Sequence, residues 1–254
     1  MEKRLNKQYP SVSEVTGTEH AGMVKEIFST ITKRYDFLNH FLSMRRDVAW
    51  RRFTVKKMRF FFTRRFLDVA CGTADLTIMT SKKFHDVQAT GVDFVQTMLD
   101  AGQGKIGRKG FGQNISLANA DALSLPFKDN TFDVAAIAFG IRNIPDKMTA
   151  LGEMVRVIVP GGQVMVLEMT YIRNRLFKSL YKIYLNRILP GIAGLLSFNP
   201  AAYLYLADSI MNFPSPEKFA ALLGEAGLIQ VKKYKLTFGI TYLYTGIKPG
   251  NNIS

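Results

Sequence analysis

The chain has a single cysteine, Cys71, and only three histidines in 254 residues. One cysteine cannot close an internal disulfide, and no Cys/His spacing suits zinc, so a reducing, cytosolic setting is the default. Long apolar runs are also missing. The N-terminus, "MEKRLNKQYPSVSEVTG", has no hydrophobic stretch of signal-peptide length. The most apolar later stretch, "ILPGIAGLLSF" at 188–198, is broken by one proline and two glycines. It falls far short of the ~20 residues of a spanning helix. On this reading the protein is neither secreted nor integral to a membrane. Acids are scarce as well: 20 Asp and Glu against 34 Lys and Arg leave a formal charge of +14. That balance favours a partner with an anionic surface, whether nucleic acid, a phospholipid leaflet or an acidic substrate. Internal repeats and low-complexity linkers are absent. The hydrophobic share of 47% is enough for a full core, with disorder expected only at the ends.

What is present is a rhythm. Residues 1–20 are polar and expected to be frayed. Residues 21–60 read as helices, with Val24, Ile27, Phe28 and Ile31 at helical spacing, and carry the basic runs "MRRDVAWRR" and "KKMR". From residue 66 strands and helices alternate. Strands are predicted at 66–70, 87–94, 115–121, 132–140 and 163–169, with helices at 74–83, 95–107 and 146–158. The turn "PGG" at 160–162 is expected to end the last of these. This alternation predicts an α/β fold with a parallel sheet covered on both faces. Two β-rich segments near the C-terminus, "IQVKKYKLTFG" and "ITYLYTGIKP", suit an antiparallel pair at the sheet edge. Residues 172–213 interrupt the pattern. Phe177, Leu180, Tyr181, Tyr184, Leu185 and Ile188 mark an amphipathic helix, flanked by Arg175, Lys178 and Lys182, in a stretch without acids. It reads as a helical insertion, a lid or a membrane-facing element, and a plausible dimer face.

The chemistry starts at "FLDVACGTADL", 66–76, an apolar strand that turns into small residues. In open parallel sheets ligands bind beyond the carboxyl ends of the strands. Small residues such as Gly72 let the backbone approach a ligand. The dinucleotide pattern G-x-G-x-x-G is absent, and an acid at the tip, Asp68, would repel a phosphate. A cationic ligand such as S-adenosylmethionine suits the turn better. Asp93, about twenty positions on in "GVDF", can accept the ribose hydroxyls. Asp121 in "NADALSLPF" can take the adenine amino group, with the Ala122 N–H for a ring nitrogen. Singly, each acid could be a helix cap or a solvated loop charge. Three acids at three successive strand ends form a far more specific signal.

Together, "LDVACGTADL", "GVDFVQTML", "DALSLPFKDNTFD", "FGIRNIPD" and "EMVRVIVPGGQVMVLE" resemble the class I S-adenosylmethionine-dependent methyltransferases. The flanking "YDFLNHFLS…WRR" and "YLYLADSIMNFP" narrow this. The chain resembles the ubiquinone/menaquinone biosynthesis C-methyltransferase family over roughly residues 25–249. The resemblance implies a Rossmann-like, mostly parallel seven-stranded sheet, with residues 21–254 one methyltransferase domain, 21–60 a helical cap and 172–213 a lid. It implies S-adenosylmethionine as cofactor, with contacts at Thr73, Asp93, Asp121 and Ala122. The implied substrate is a polyprenylated quinol, demethylmenaquinol in many bacteria, methylated on a ring carbon. Ala70 and Ala74 stand where many class I members have glycine.

A quinol carbon is nucleophilic mainly when its neighbouring hydroxyl is deprotonated. "FGIRN" puts Arg142 and Asn143 just past the fourth strand. Arg142 is a poor literal base, but can stabilise a phenolate and orient a water that takes the proton. Asn143 can hydrogen-bond a quinol oxygen, and Tyr35 can close over the ring. The resemblance points to the same three catalytic residues. Plainer readings pair Arg142 with Asp146, leave Tyr35 as core packing, let Asp36 and Asn39 brace the cap, and make Cys71 a small buried residue. A polyprenyl tail implies an anionic membrane surface as partner, met peripherally on the inner face of the cytoplasmic membrane; residues 173–198 could lie on that leaflet, line the tail's entry groove, or form a core lid helix with snorkelling lysines. Rival functions are methylation of RNA, methylation of another lipid, or a non-catalytic cofactor-binding subunit. No recognised RNA-binding appendage and no N/D-P-P-Y motif is present, so nucleic acid is not expected as a partner.

Overall fold

The computed structural model describes residues 17–32, 35–171 and 200–250. Three helices come first: α1 (Gly17–Ile31), α2 (Tyr35–Leu42) and α3 (Arg46–Lys57). Helix α1 begins inside the segment expected to be frayed, at Gly17 instead of after residue 20. Then follow β1 (Arg65–Val69), α4 (Asp75–Lys83), β2 (Gln88–Asp93), α5 (Gln96–Lys109), β3 (Ile115–Asn119) and β4 (Phe132–Ala138). A short 3-10 turn (Ile141–Asn143) leads to α6 (Lys147–Val157) and β5 (Ile158–Met169). The chain closes with α7 (Pro200–Met211), α8 (Pro216–Glu225), β6 (Ile229–Leu236) and β7 (Thr241–Ile247). The amphipathic stretch read at 173–198, with its suggested dimer face, lies outside the described residues.

The strands form one seven-stranded sheet in the order β3-β2-β1-β4-β5-β7-β6. Strands β1 to β5 pair in parallel, and β7 is antiparallel to both β5 and β6. Alternating side chains build a core on each face. Leu67, Val69, Ala135, Ile137, Val164 and Val166 pack with Leu151 and Met154 of α6 and Phe219 and Leu223 of α8. Phe66, Val134, Ala136, Met165 and Leu167 pack on the other side with Trp50 of α3, Leu76 and Ile78 of α4 and Ile106 of α5. A strand apolar on both faces is what a central parallel position requires. The order reverses between β1 and β4, and such a switch point opens a crevice at the strands' carboxyl ends.

Helix boundaries follow local chemistry. Ser215 caps α8 by accepting the Lys218 N–H, with Pro216 next in line, where a missing N–H costs nothing. Gly110, at φ 75°, ends α5. The "PGG" segment departs from expectation. It does not stop α6 but forms an irregularity inside β5, where the register with β4 slips between Phe132 and Val134. Gly161 donates to the Lys248 carbonyl at 2.9 Å, and Lys248 donates to that of Gly162 at 3.0 Å. A Cβ on Gly162 would lie 2.8 Å from the carbonyl oxygens of Asp133 and Val159, so only glycine lets the strands pass this closely.

Where the chain enters β1, the buried carboxylate of Asp133 accepts the backbone N–H groups of Phe62 (2.9 Å), Thr63 (2.9 Å) and Arg64 (2.6 Å). It also accepts the Thr63 hydroxyl at 3.2 Å. Asp133→Ala strands these donors, and we expect a loss of about 2–4 kcal/mol. Urea unfolding measures it; a loss below about 0.5 kcal/mol, the scale of an ordinary surface change, contradicts the clamp.

Candidate active site

After Val69 the backbone turns through Ala70 (φ 51°), Gly72 (φ 55°) and Ala74 (φ 65°). The left-handed region costs an alanine about 1–2 kcal/mol, so the turn is held by its surroundings. Cys71 donates to the Val92 carbonyl at 2.9 Å, and Ala74 donates to that of Cys71 at 2.9 Å. Gly72 donates to Asp93 Oδ2 at 2.8 Å. The other Asp93 oxygen accepts the Val95 N–H at 2.9 Å. Asp93 at the β2 tip thus fixes both the turn after β1 and the start of α5. Burial raises its pKa, while the N–H groups of Val95, Gly72 and Phe94 work against that rise. The Cys71 thiol is pushed well up, by burial first and by the nearby Asp68 and Asp93 next, so it is not a ready nucleophile.

Beyond these strand ends lies a cavity of about 310 Å³. Tyr35, Gly72, Asp93, Asp121, Ala122 and Asn143 all line it. Its roof comes from α1 and α2: Val24 and Phe28 face it beside Tyr35. The Phe28 and Tyr35 rings meet edge to face at 5.8 Å, and Tyr35 Cε1 sits 3.7 Å from where a Cβ on Gly72 would be. Asp121 accepts the Leu123 N–H at 2.9 Å, which sets the turn carrying Ala122. Asn143 Oδ1 accepts the Tyr205 hydroxyl of α7 at 3.1 Å. The other walls are largely apolar, including Phe94, Met98, Phe139 and Ile144.

The charges on the lining decide what it can hold. Asp93, Asp121 and Asp146 face it, and among the described residues no Lys or Arg does, in a chain of net charge +14. A pyrophosphate would meet only repulsion here. A nucleoside carrying a sulfonium and an ammonium fits, with carboxylates at hand for hydroxyls and cations.

Asp68, Thr73 and Arg142 lie outside the lining. Side chains alternate along β1, and Asp68 shares the α4 face with Phe66. There, 1% exposed, it accepts the Thr77 hydroxyl at 2.5 Å. Thr73 donates to Asp36 Oδ1 at 2.5 Å and accepts from Lys105 at 2.9 Å. Arg142 is 7% exposed and pairs with Glu168, not with Asp146. Its guanidinium donates to Glu168 Oε1 (2.6 Å) and the Phe139 carbonyl (2.8 Å), and its backbone N–H to Glu168 Oε2 (3.2 Å). Burial opposes the Arg142 charge, but Glu168 more than offsets this and raises its pKa. Asp146 instead caps α6 by accepting the Thr149 N–H at 2.9 Å.

Glu168, Val24 and Phe28 were missed as parts of this region. A lone acid in the apolar strand "QVMVLEM" was the available signal for Glu168, since a buried charge needs a partner. Helical spacing showed the apolar face of α1 but not what it covers.

The sheet order, the switch-point cavity and the acids that line it define a class I S-adenosylmethionine-dependent methyltransferase. A solved S-adenosylmethionine-dependent methyltransferase from Aquifex aeolicus shares the fold, with a TM-score of 0.56, 15% identity, 78% of this chain and 88% of that one covered. The chain matches the ubiE/COQ5 methyltransferase family over residues 15–248, and it belongs to that family. It is 42% identical to the ubiquinone/menaquinone biosynthesis C-methyltransferase UbiE of Geotalea daltonii, covering 91% of this chain and 98% of the relative. It is 40% identical to the demethylmenaquinone methyltransferase of Thermus thermophilus, over 88% and 100% respectively.

Burial pushes the Asp68 carboxyl up to about 7, against the Thr77 hydroxyl and the nearby Arg51 charge, which lower it. The folded state therefore holds this proton at a pH where the unfolded state has lost it. Stability from this group is complete below the ordinary carboxylate range and falls as pH rises towards 7. Asp68→Asn keeps the Thr77 bond and removes the titration. We expect the variant to be more stable than wild type at about pH 8 and near wild type at about pH 4, read by urea unfolding; identical pH profiles contradict this.

Proposed function

We propose that this chain transfers the methyl group of S-adenosylmethionine to a ring carbon of a polyprenylated quinol, converting demethylmenaquinol to menaquinol. The observation that carries this reading is one cavity whose lining combines Asp93, Asp121 and Ala122 with apolar side chains and with Asn143 and Tyr35. Family membership and the names of the relatives support the substrate class. Bound there, the cofactor supplies an electrophilic methyl on a sulfonium. Asp93 accepts the ribose hydroxyls, while Asp121 and the Ala122 N–H read the adenine edge.

Asn143 has its carbonyl oxygen engaged by Tyr205, which leaves its amide N–H groups to donate to a quinol oxygen. That donation favours the phenolate, whose proton leaves to water; the ring carbon would then take the methyl as its bond to sulfur breaks, and that carbon's own proton would leave to solvent to restore the aromatic ring. Arg142, kept cationic by Glu168, adds positive potential behind Asn143 without entering the cavity. Tyr35 stays neutral, because burial raises its pKa beyond the opposing pull of Arg51. Its ring roofs the acceptor and, with the apolar walls, keeps water from competing.

The test is incubation with reduced quinones from cells lacking this methylation and with isotopically labelled cofactor, followed by mass spectrometry. Label is expected on the quinone ring, and Asn143→Ala is expected to lower kcat about 100-fold. Label only in RNA or in another lipid overturns the reading.

A polyprenyl tail has to be met at a bilayer, so we further propose peripheral association with anionic membrane, supported by the +14 charge. Among the described residues no helix is long and apolar enough to cross a membrane. Co-sedimentation with phosphatidylglycerol vesicles should be seen in low salt and lost near ~0.5 M salt. No binding in low salt removes the membrane proposal.

A further inference from the structure

We propose that Lys105 is a positioning residue that fastens the helical cap onto the cofactor turn. It belongs to α5, outside the cavity and outside every motif considered so far. Its ammonium donates to Asp36 Oδ2 of α2 at 2.8 Å, to Asp75 Oδ1 of α4 at 2.6 Å and to Thr73 Oγ1 of the turn at 2.9 Å. An ammonium has three donors, and all three are used. The Thr73 hydroxyl, which accepts from Lys105, passes its own hydrogen on to Asp36 Oδ1. Three segments distant in sequence are thereby closed into one network.

The inference rests on the cofactor reading of the cavity given above. Asp36 immediately follows Tyr35, the α2 residue on the roof, and Tyr35 lies against Gly72 of the same turn. The network therefore ties the roof to the floor on the side away from the cavity. Exposed ion pairs of this kind contribute little, but here the lysine side chain is only 14% exposed, Asp75 23% and Asp36 33%. Without the ammonium, two carboxylates would face each other around the Thr73 hydroxyl in a poorly solvated site. The clasp would then become a repulsion, and α2 would be driven off the turn. The Thr73 hydroxyl is thus a joint between the cap and α5.

The experiment compares full-length wild type, Lys105→Met, Lys105→Arg and Asp36→Asn in two measurements. One is calorimetric titration with S-adenosylhomocysteine; the other is amide hydrogen exchange of residues 35–42 in the ligand-free protein. Lys105→Met is expected to weaken S-adenosylhomocysteine about 10-fold or more. It should also speed exchange across 35–42 while leaving β1 and β4 as in wild type. Lys105→Arg, which can still reach both carboxylates, should recover most of the affinity. A merely structural lysine would change the melting temperature without this localised exchange and this rescue. Wild-type affinity and wild-type exchange at 35–42 in Lys105→Met overturn the proposal. If that variant does not fold, Asp36→Asn, which alters a partly exposed group, decides by the same two readouts. If wild-type protein binds no S-adenosylhomocysteine, the cofactor reading fails, while the exchange contrast still judges the clasp.

Discussion

One carboxylate organises the functional end of this molecule. Asp93 reaches from the tip of β2 to the Gly72 N–H on the turn after β1 and to the Val95 N–H at the start of α5. Those two bonds hold the β1–α4 turn and the β2–α5 junction in register. They also hold two alanines in left-handed backbone that neither would adopt freely. With the turn so fixed, a Cβ on Gly140 would come within 2.8 Å of the Ala70 Cβ. The ends of β1 and β4 can meet this closely only because that residue is glycine. The cavity floor is the surface these constraints leave, and the same carboxylate lines it.

Charge is arranged in layers around that floor. Among the described residues the charged groups of the lining are acids, whereas buried arginines stand one layer back. Arg51, 5% exposed, pairs with Asp47 at 2.6 Å and lies 5.1 Å from the Phe139 ring centroid. Arg142 pairs with Glu168. Buried pairs of this sort add little net stability, but removing one partner leaves a costly orphan. Their value here is positional: each guanidinium is fixed behind the lining by its acid partner. Each of these pairs is neutral, so the net +14 charge lies on the rest of the chain.

The alternation of apolar strands and helices made the parallel sheet legible, and the β-rich C-terminal segments made its antiparallel edge legible too. Several residues of the cavity lining were legible because strand tips in such sheets converge on one crevice. What sequence position could not show was the face on which a side chain lies. Asp68 sits at a strand end like Asp93, but the two-residue period of β1 turns it towards Thr77. Long-range partners were also hidden. Glu168 is 26 residues from Arg142, and Lys105 is 69 from Asp36, so neither pairing leaves a local spacing signal. The "PGG" segment misled because glycines that permit a close strand crossing look the same in sequence as glycines that make a turn.

The central claim is that Asp93 both shapes the turn and binds the nucleoside. The direct measurement is calorimetric titration of S-adenosylmethionine into wild type and Asp93→Ala at matched stability, with crystal structures of both. The account expects one equivalent bound by wild type, binding lost in the variant, and a displaced 70–74 backbone. Full affinity in Asp93→Ala with the turn unmoved would contradict it.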